Sequence, residues 1–288
     1  MMKNLIAVLT VVSAIIVIWY GAAFLMNKQW TLDQAERAGT TVTTSEVFKD
    51  TMAQERPQLP APHQVITEIW KTTVEKKITS KRSLIYHAGI TLSSTSLGFL
   101  MGSLLGITLA ISIVHSRAMD LSVMPWIIAS QTIPILAVAP MIIVVLNAVG
   151  ISGLVPKAMI SMYLSFFPVA VGMVKGLRAP DTMQLDLMKT YRASAWQTLI
   201  KLRLPSSMPY LFTSLKIAMA ASLVGAIIGE LPTGAVAGLG ARLLAGSYYG
   251  QTIQIWSALI SAAVLAAVLV MLIGALQNIT LKRMGMLR

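Results

Sequence analysis

The chain has 288 residues, 56% of them apolar, with 23 Lys and Arg against 11 Asp and Glu and no cysteine. A mean hydropathy of +0.72 excludes an ordinary soluble domain and points to one polytopic membrane domain, while the missing cysteines exclude disulfides and thiol chemistry. The formal charge of +12 is carried in short loops beside apolar runs, so it reads as a topology determinant and excludes a nucleic-acid footprint.

Lys3 precedes an apolar run over residues 5–26, and about 20 apolar residues suffice to cross a bilayer. Residues 1–26 are therefore read as a retained first transmembrane helix, with Trp19-Tyr20 as an interfacial pair. A cleaved signal peptide ending at Gly21-Ala22-Ala23 is the rival reading. Residues 27–87 are read as an extracytoplasmic segment, broken by Pro57, Pro60 and Pro62. Val65, Ile69, Val74 and Ile78 give residues 64–78 helical spacing beside Trp70, which predicts a helix along the membrane surface. Lys76, Lys77, Lys81 and Arg82 sit against that assignment, because such a cluster favours the cytoplasmic side. His87 reads as a lone interfacial histidine.

The remainder, residues 88–288, reads as a core of five spans. The second span covers about 88–114 and carries Gly98, Gly102 and Gly106, four apart on one face, where another helix can approach closely. Packing within the chain and a subunit interface are both open. His115-Ser116-Arg117 and Asp120 make a short turn. The third span, about 121–149, is interrupted by Pro125, Pro134 and Pro140. Proline frees carbonyls that need protein or water, so broken spans tend to line cavities. Gln131, Thr132 and Pro134 are candidate pathway residues, with internal packing the open alternative. The fourth span, about 155–174, adds Tyr163 to that set and has Phe166-Phe167-Pro168 near its middle.

Residues 175–205 then form a basic interval carrying Lys175, Arg178, Lys189, Arg192, Lys201 and Arg203 against Asp181 and Asp186. Its short length between spans places it on the cytoplasmic side. Leu185, Met188, Tyr191, Ala195, Leu199 and Leu202 recur at helical spacing, so it is predicted as an amphipathic element and not a tether. Asp181-Thr182 is its predicted N-cap and Pro205 its predicted end.

The fifth span, about 209–231, shows a small-residue face at Ser214, Ala218, Ser222, Gly225 and Gly229. Ser222 joins the pathway candidates. Lys216 is expected to snorkel to the cytoplasmic interface. Glu230 is the one acid in the apolar span-forming regions. Three roles are open for it: substrate binding, a gate closed against Arg242, or a place in the outer headgroup zone. Residues 232–250 carry Gly234, Gly238, Gly240, Gly246 and Gly250, with a short helix expected over 239–244. The sixth span is about 252–277. Lys282, Arg283 and Arg288 put the C-terminus in the cytoplasm, and both termini are expected there.

The basic interval resembles the signature loop of ABC-type importer permeases: Glu-Ala-Ala, three residues, Gly, nine residues, an aliphatic, any residue, Leu-Pro. Counting back from Leu204-Pro205 puts Leu202 at the aliphatic position, Arg192 at the Gly and Asp186-Leu187-Met188 at Glu-Ala-Ala. Tyr191-Arg192-Ala193-Ser194 resembles the usual Tyr-Gly-Ala-Ser. Where Gly would turn the chain between two short helices, an Arg must make the turn or the helix runs on. Phe166-Phe167-Pro168-Val169, Gly176-Leu177-Arg178 and Leu204-Pro205 with Pro209-Tyr210 resemble the nitrate/sulfonate/taurine group, over about residues 59–288.

The resemblance implies an all-α permease of about six spans, with a cytoplasmic coupling helix between spans four and five. It implies a second permease chain, identical or paralogous, a cytoplasmic ABC ATPase dimer holding ATP and Mg, and an extracytoplasmic solute-binding protein. The location implied is a bacterial-type inner membrane. Asp186, Leu187, Met188, Arg192, Ala193, Leu199, Lys201, Leu202, Arg203 and Pro205 are the implied ATPase-coupling residues. No phosphate-cradling Gly-rich loop, catalytic constellation or His/Cys metal cluster is recognisable, so no catalytic residue, metal or cofactor is expected on this chain. The competing class is an ion-coupled secondary transporter, which needs intramembrane charge of the kind that Glu230 and Lys216 offer.

Overall fold

A computed structural model describes residues 2–39, 41–231 and 237–286. Among them every regular element is helical: α1 Met2–Arg37, α2 Thr44–Ala53, α3 Pro62–Trp70, α4 Leu84–His115, α5 Arg117–Ser130, α6 Ile135–Ala148, α7 Leu154–Leu177, α8 Thr182–Thr190, α9 Ala195–Thr198, α10 Leu204–Glu230, α11 Leu239–Tyr248 and α12 Thr252–Arg283. Two wider π-turns extend them, Lys71–Glu75 after α3 and Leu199–Arg203 between α9 and α10. Pro232, Gly234 and Arg288, used in the sequence reading, lie outside the described residues. Five helical stretches are long and apolar enough to cross a membrane. Helices α5 and α6, bent by 100° at their junction, supply the sixth if they cross as one broken span.

The chain divides into two compact units. The first holds Met1–His87 and Ala241–Ala262, so a segment expected in the core groups with the N-terminal part. Helix α1 does not stop near residue 26. Its 36 residues make it about 54 Å long, against about 30 Å of bilayer hydrocarbon. No Gly or Pro interrupts residues 27–37, and the helix ends only before Gly39, whose φ of +65° suits glycine. The polar extension holds the following segment. The buried Asn27 amide donates to the Leu59 carbonyl at 2.7 Å, and its oxygen accepts from the Gln58 and Leu59 amides. Trp19 Nε1 donates to the Pro60 carbonyl, and Trp19 packs on Trp256 at 5.1 Å between centroids. The Thr252 hydroxyl reaches the Pro57 carbonyl. Helix α2, absent from the sequence expectation, starts at a capping box in which the Glu46 carboxylate accepts from the Thr43 amide and hydroxyl. Those two bonds hold the Glu46 carboxyl below its usual range. Helix α3 begins with Pro62 in its first turn, where a missing amide costs nothing.

The second unit holds Ala88–Gly240 and Ala263–Arg288. Helix α7 is its centre, more buried than its neighbours. The glycine row of α4 lies on α7: a Cβ added at Gly98 would fall 2.2 Å from Ser161 Cβ, at Gly102 2.1 Å from Ser165 Oγ, and at Gly106 2.8 Å from the Phe166 carbonyl. At the same level α7 also meets α10, where a Cβ on Gly225 would stand 2.7 Å from the Ser161 Cα. Serines stitch the three helices through backbone carbonyls. Ser161 donates to Ser222 O at 2.9 Å, Ser222 to Thr95 O at 2.8 Å, and Ser165 to Gly98 O at 3.3 Å. Close backbone approach plus satisfied hydroxyls is the packing available inside lipid, where burying oily side chains gains little.

Pro205 does not end the coupling element. Helix continues from Ala195 through Glu230, 36 residues in all. Proline cannot donate to a carbonyl four back and its ring crowds that carbonyl. The π-turn just before it widens the coil, and the Leu204 amide reaches back five residues to Leu199 O, so the helix passes the proline intact.

Candidate functional site

The loop between α7 and α10 is fastened at both roots. Arg178 pairs with Asp120 on α5 at 2.7 Å. Arg203 Nη1 donates to the Leu177 carbonyl at 2.8 Å, satisfying the C-terminal end of α7. Beneath the loop, Leu199 and Leu177 are buried together with Ala110, Ile113, Ile127, Phe166 and Val174. The loop is therefore anchored on α4, α5 and α7 at once and continues into α10.

Within the loop, Asp181 caps α8 by accepting from the Thr182 amide at 2.7 Å, and Gln184 returns a bond to the Asp181 amide. Asp186 pairs with Lys189 at 2.8 Å in full solvent. The helix then stops. Arg192 N donates to Lys189 O and Ala193 N to Met188 O, a Schellman ending in which Arg192 takes φ +49°. Arg192 makes the turn that glycine makes in the signature pattern. Ser194 restarts the chain as the N-cap of α9, with Gln197 completing a second capping box.

The turn redistributes the predicted stripe. Leu199 is sealed in the core and Arg203 is spent on α7, so neither is a free contact. Leu185, Met188, Ala193 and Leu202 are half-buried, while Asp186, Arg192 and Lys201 are exposed. The exposed large apolar residues are Met183 (79%), Leu187 (55%), Tyr191 (76%), Trp196 (66%) and, less so, Ile200 (44%). Leu187 belonged to the predicted set. Met183 and Trp196 were missed, although Met183, Leu187 and Tyr191 recur every fourth residue.

The pathway and gate candidates do not gather into one site. Gln131, Thr132 and Pro134 are exposed at the α5–α6 break. The Tyr163 hydroxyl donates to the Ser130 carbonyl, so it pins that break. Ser222 is fully buried in the serine stitching. Arg242 pairs with Glu68 at 3.6 Å. Burial lowers the Arg242 pKa and Glu68 counters that shift.

Glu230 is fully buried. It accepts from the Thr91 hydroxyl at 2.9 and 3.0 Å and from the Gly240 amide at 2.8 Å. The same Thr91 oxygen accepts from the Leu239 amide. The carboxylate thus sits at the N-terminus of α11, where amide dipoles favour negative charge. Gly238 and Gly240 leave room for it: a Cβ at Gly238 would stand 2.2 Å from the carboxyl carbon. In this arrangement Glu230 is a clasp between α4, α10 and the first turn of α11.

A family model described as "Binding-protein-dependent transport system inner membrane component" matches residues 102–286. The "Probable ABC transporter permease protein" of Haemophilus influenzae is 30% identical over 200 residues, which cover 69% of this chain and 79% of that protein. The formylaminopyrimidine transport permease protein ThiX of Halalkalibacterium halodurans is 31% identical, over 63% of this chain and 68% of its own length. The riboflavin transport system permease protein RibX of Chloroflexus aurantiacus is 29% identical, over 78% and 80%. With a braced helical loop between spans and a match over more than half its length, the chain belongs to the family of binding-protein-dependent transport system inner membrane components, the permease subunits of ABC importers.

Proposed function

We propose that the loop between α7 and α10 is where a cytoplasmic ABC ATPase grips this permease, and that its contact face is Met183, Leu187, Tyr191 and Trp196. The observation that carries this is an apolar face left open on a loop whose roots are tied into the bundle. An amphipathic helix presenting such a face fits a partner's groove. The working assembly has two permease chains, identical or paralogous, and two ATPases that hold ATP and Mg. A solute-binding protein docks on the opposite side. Both termini and the basic loop lie in the cytoplasm, as the positive-inside rule favours. When ATP draws the ATPases together, the loop carries the movement through Arg178–Asp120, Arg203–Leu177 and the Leu199 core into the spans. It transmits only the difference in contact free energy between the two states. The solute is a small heterocycle, sulfonate or oxyanion, the range over which the related permeases are named.

The test is uptake and ATPase coupling in proteoliposomes containing the permease and its ATPase. Leu187→Asp and Trp196→Asp each place a charge on an exposed face. Each is expected to leave insertion and folding intact while cutting solute uptake at least tenfold and uncoupling ATP hydrolysis from solute. Leu199→Asp instead buries a charge in the core and is expected to reduce membrane accumulation itself. Coupling that survives both exposed-face variants would place the grip elsewhere.

A further inference from the structure

The first unit carries a second open apolar face, unrelated to the coupling loop. On α3 and its π-turn, Pro62, Val65 and Thr72 are buried inward. The opposite side shows Ile66 (66%), Trp70 (60%) and Val74 (58%), each four residues from the next, with Ile78 (63%) just beyond. The polar residues beside this face are strongly one-sided. Lys71, Lys76, Lys77, Lys81 and Arg82 are exposed. Of the two acids in the stretch, Glu68 is paired with Arg242, which leaves Glu75.

The height of this helix along α1 is also fixed. Its leading residues are tied to the end of the α1 apolar run: Trp19 to Pro60, Tyr20 stacked on His63 at 5.9 Å, and Asn27 to Leu59. Tryptophan, tyrosine and histidine gathered where an apolar span turns polar mark the bilayer boundary. A short helix at that level, oily on its outer face and bordered by lysines, matches the chemistry of an interfacial anchor.

We infer that α3 and residues 71–82 form an anionic-lipid site: Ile66, Trp70 and Val74 enter the acyl boundary, and Lys71, Lys76, Lys77, Lys81 and Arg82 hold acidic headgroups. A basic cluster is drawn to an anionic surface, which favours a lipid of net negative charge over a zwitterionic one. The basic cluster, awkward as a topology signal, is then a headgroup ligand. The inference is independent of the ATPase contact, because it concerns a different unit and needs no nucleotide.

The cysteine-free chain permits a direct test. The full permease is spin-labelled at Ile66→Cys, Val74→Cys and, separately, Lys77→Cys, and placed in nanodiscs of phosphatidylcholine alone or mixed with phosphatidylglycerol. Labels at 66 and 74 are expected to be reached by oxygen and shielded from a water-soluble nickel chelate, and the label at 77 the reverse. Phosphatidylglycerol is expected to deepen 66 and 74. Changing Lys76, Lys77, Lys81 and Arg82 to Gln, with the label at 66, abolishes that response, whereas changing the three lysines to Arg keeps it. Labels that stay in water in both lipids overturn the inference. So does immersion that ignores phosphatidylglycerol, and so does protection that appears only when a solute-binding protein is added, since the face would then be a protein dock.

Discussion

Two residues show how local chemistry sets the behaviour of larger parts. Arg192 occupies a left-handed turn, a conformation that costs an L-residue about 1–2 kcal/mol. Arg192→Gly is expected to raise thermal stability by roughly 1 kcal/mol, read as a higher unfolding temperature in detergent. If the guanidinium also touches the ATPase, the same variant will weaken coupling while gaining stability, and the two readouts separate those roles. Glu230 behaves oppositely. Glu230→Ala removes the acceptor used by the Thr91 hydroxyl and the Gly240 amide, and a buried polar group stripped of its partner costs about 1–3 kcal/mol. Glu230→Gln keeps one carbonyl acceptor and is expected to lose clearly less, by the same melting measurement. The sequence marked Glu230 as unusual because acids are rare in apolar spans. Its partner was not legible, because Thr91 lies 139 residues away and nothing local singles it out from the other hydroxyls of α4.

Helical elements were legible where their periodicity was unbroken. The spacing of Gly98, Gly102 and Gly106 announced a close contact, and the serine and glycine face of α10 announced another. What spacing withheld was the partner: both faces meet α7, inside the chain. Gly102→Leu forces a side chain onto Ser165 and its carbonyl neighbours. Overpacking of this kind costs about 1–3 kcal/mol or more, so the variant is expected to accumulate poorly in the membrane, while Thr108→Leu, at an exposed position on the same helix, is better tolerated. The coupling loop failed to read correctly for a related reason. A single helical wheel drawn over residues 185–202 assumes one axis. The Schellman turn at Arg192 resets the direction, so the pattern before it says nothing about the face after it. Leu199 consequently points into the core while Leu187 points out. The caps at Asp181 and Ser194, by contrast, depend on a few neighbouring residues, and Asp181 was recognisable from the sequence alone. Pro205 misled because proline usually ends a helix, and a π-turn is not visible in composition.

At the scale of the molecule, hydropathy exposed the membrane class and nearly all of the spans, because crossing a bilayer needs a long apolar run whatever the tertiary packing. Unit membership was not legible. Residues 241–262 lie within the expected permease core in sequence but fold with residues 1–87, through contacts such as Trp19–Trp256 and Thr252–Pro57 that span most of the chain. The family match begins at residue 102, so the first span and helices α2 and α3 lie outside it. If that N-terminal part were a detachable anchor, deleting residues 1–87 would leave the rest as stable as before. The fold argues otherwise, since the deletion strips Trp256 and Thr252 of their partners and uncovers the start of α12. The shortened chain is expected to accumulate at a small fraction of the full-length level and to melt several degrees lower in detergent. A milder variant, Trp19→Ala with Thr252→Val, removes both of these contacts without shortening the chain and is expected to shift melting in the same direction. Equal melting of full-length, doubly substituted and shortened proteins would show that the junction carries no stability and that the N-terminal unit is only an attachment.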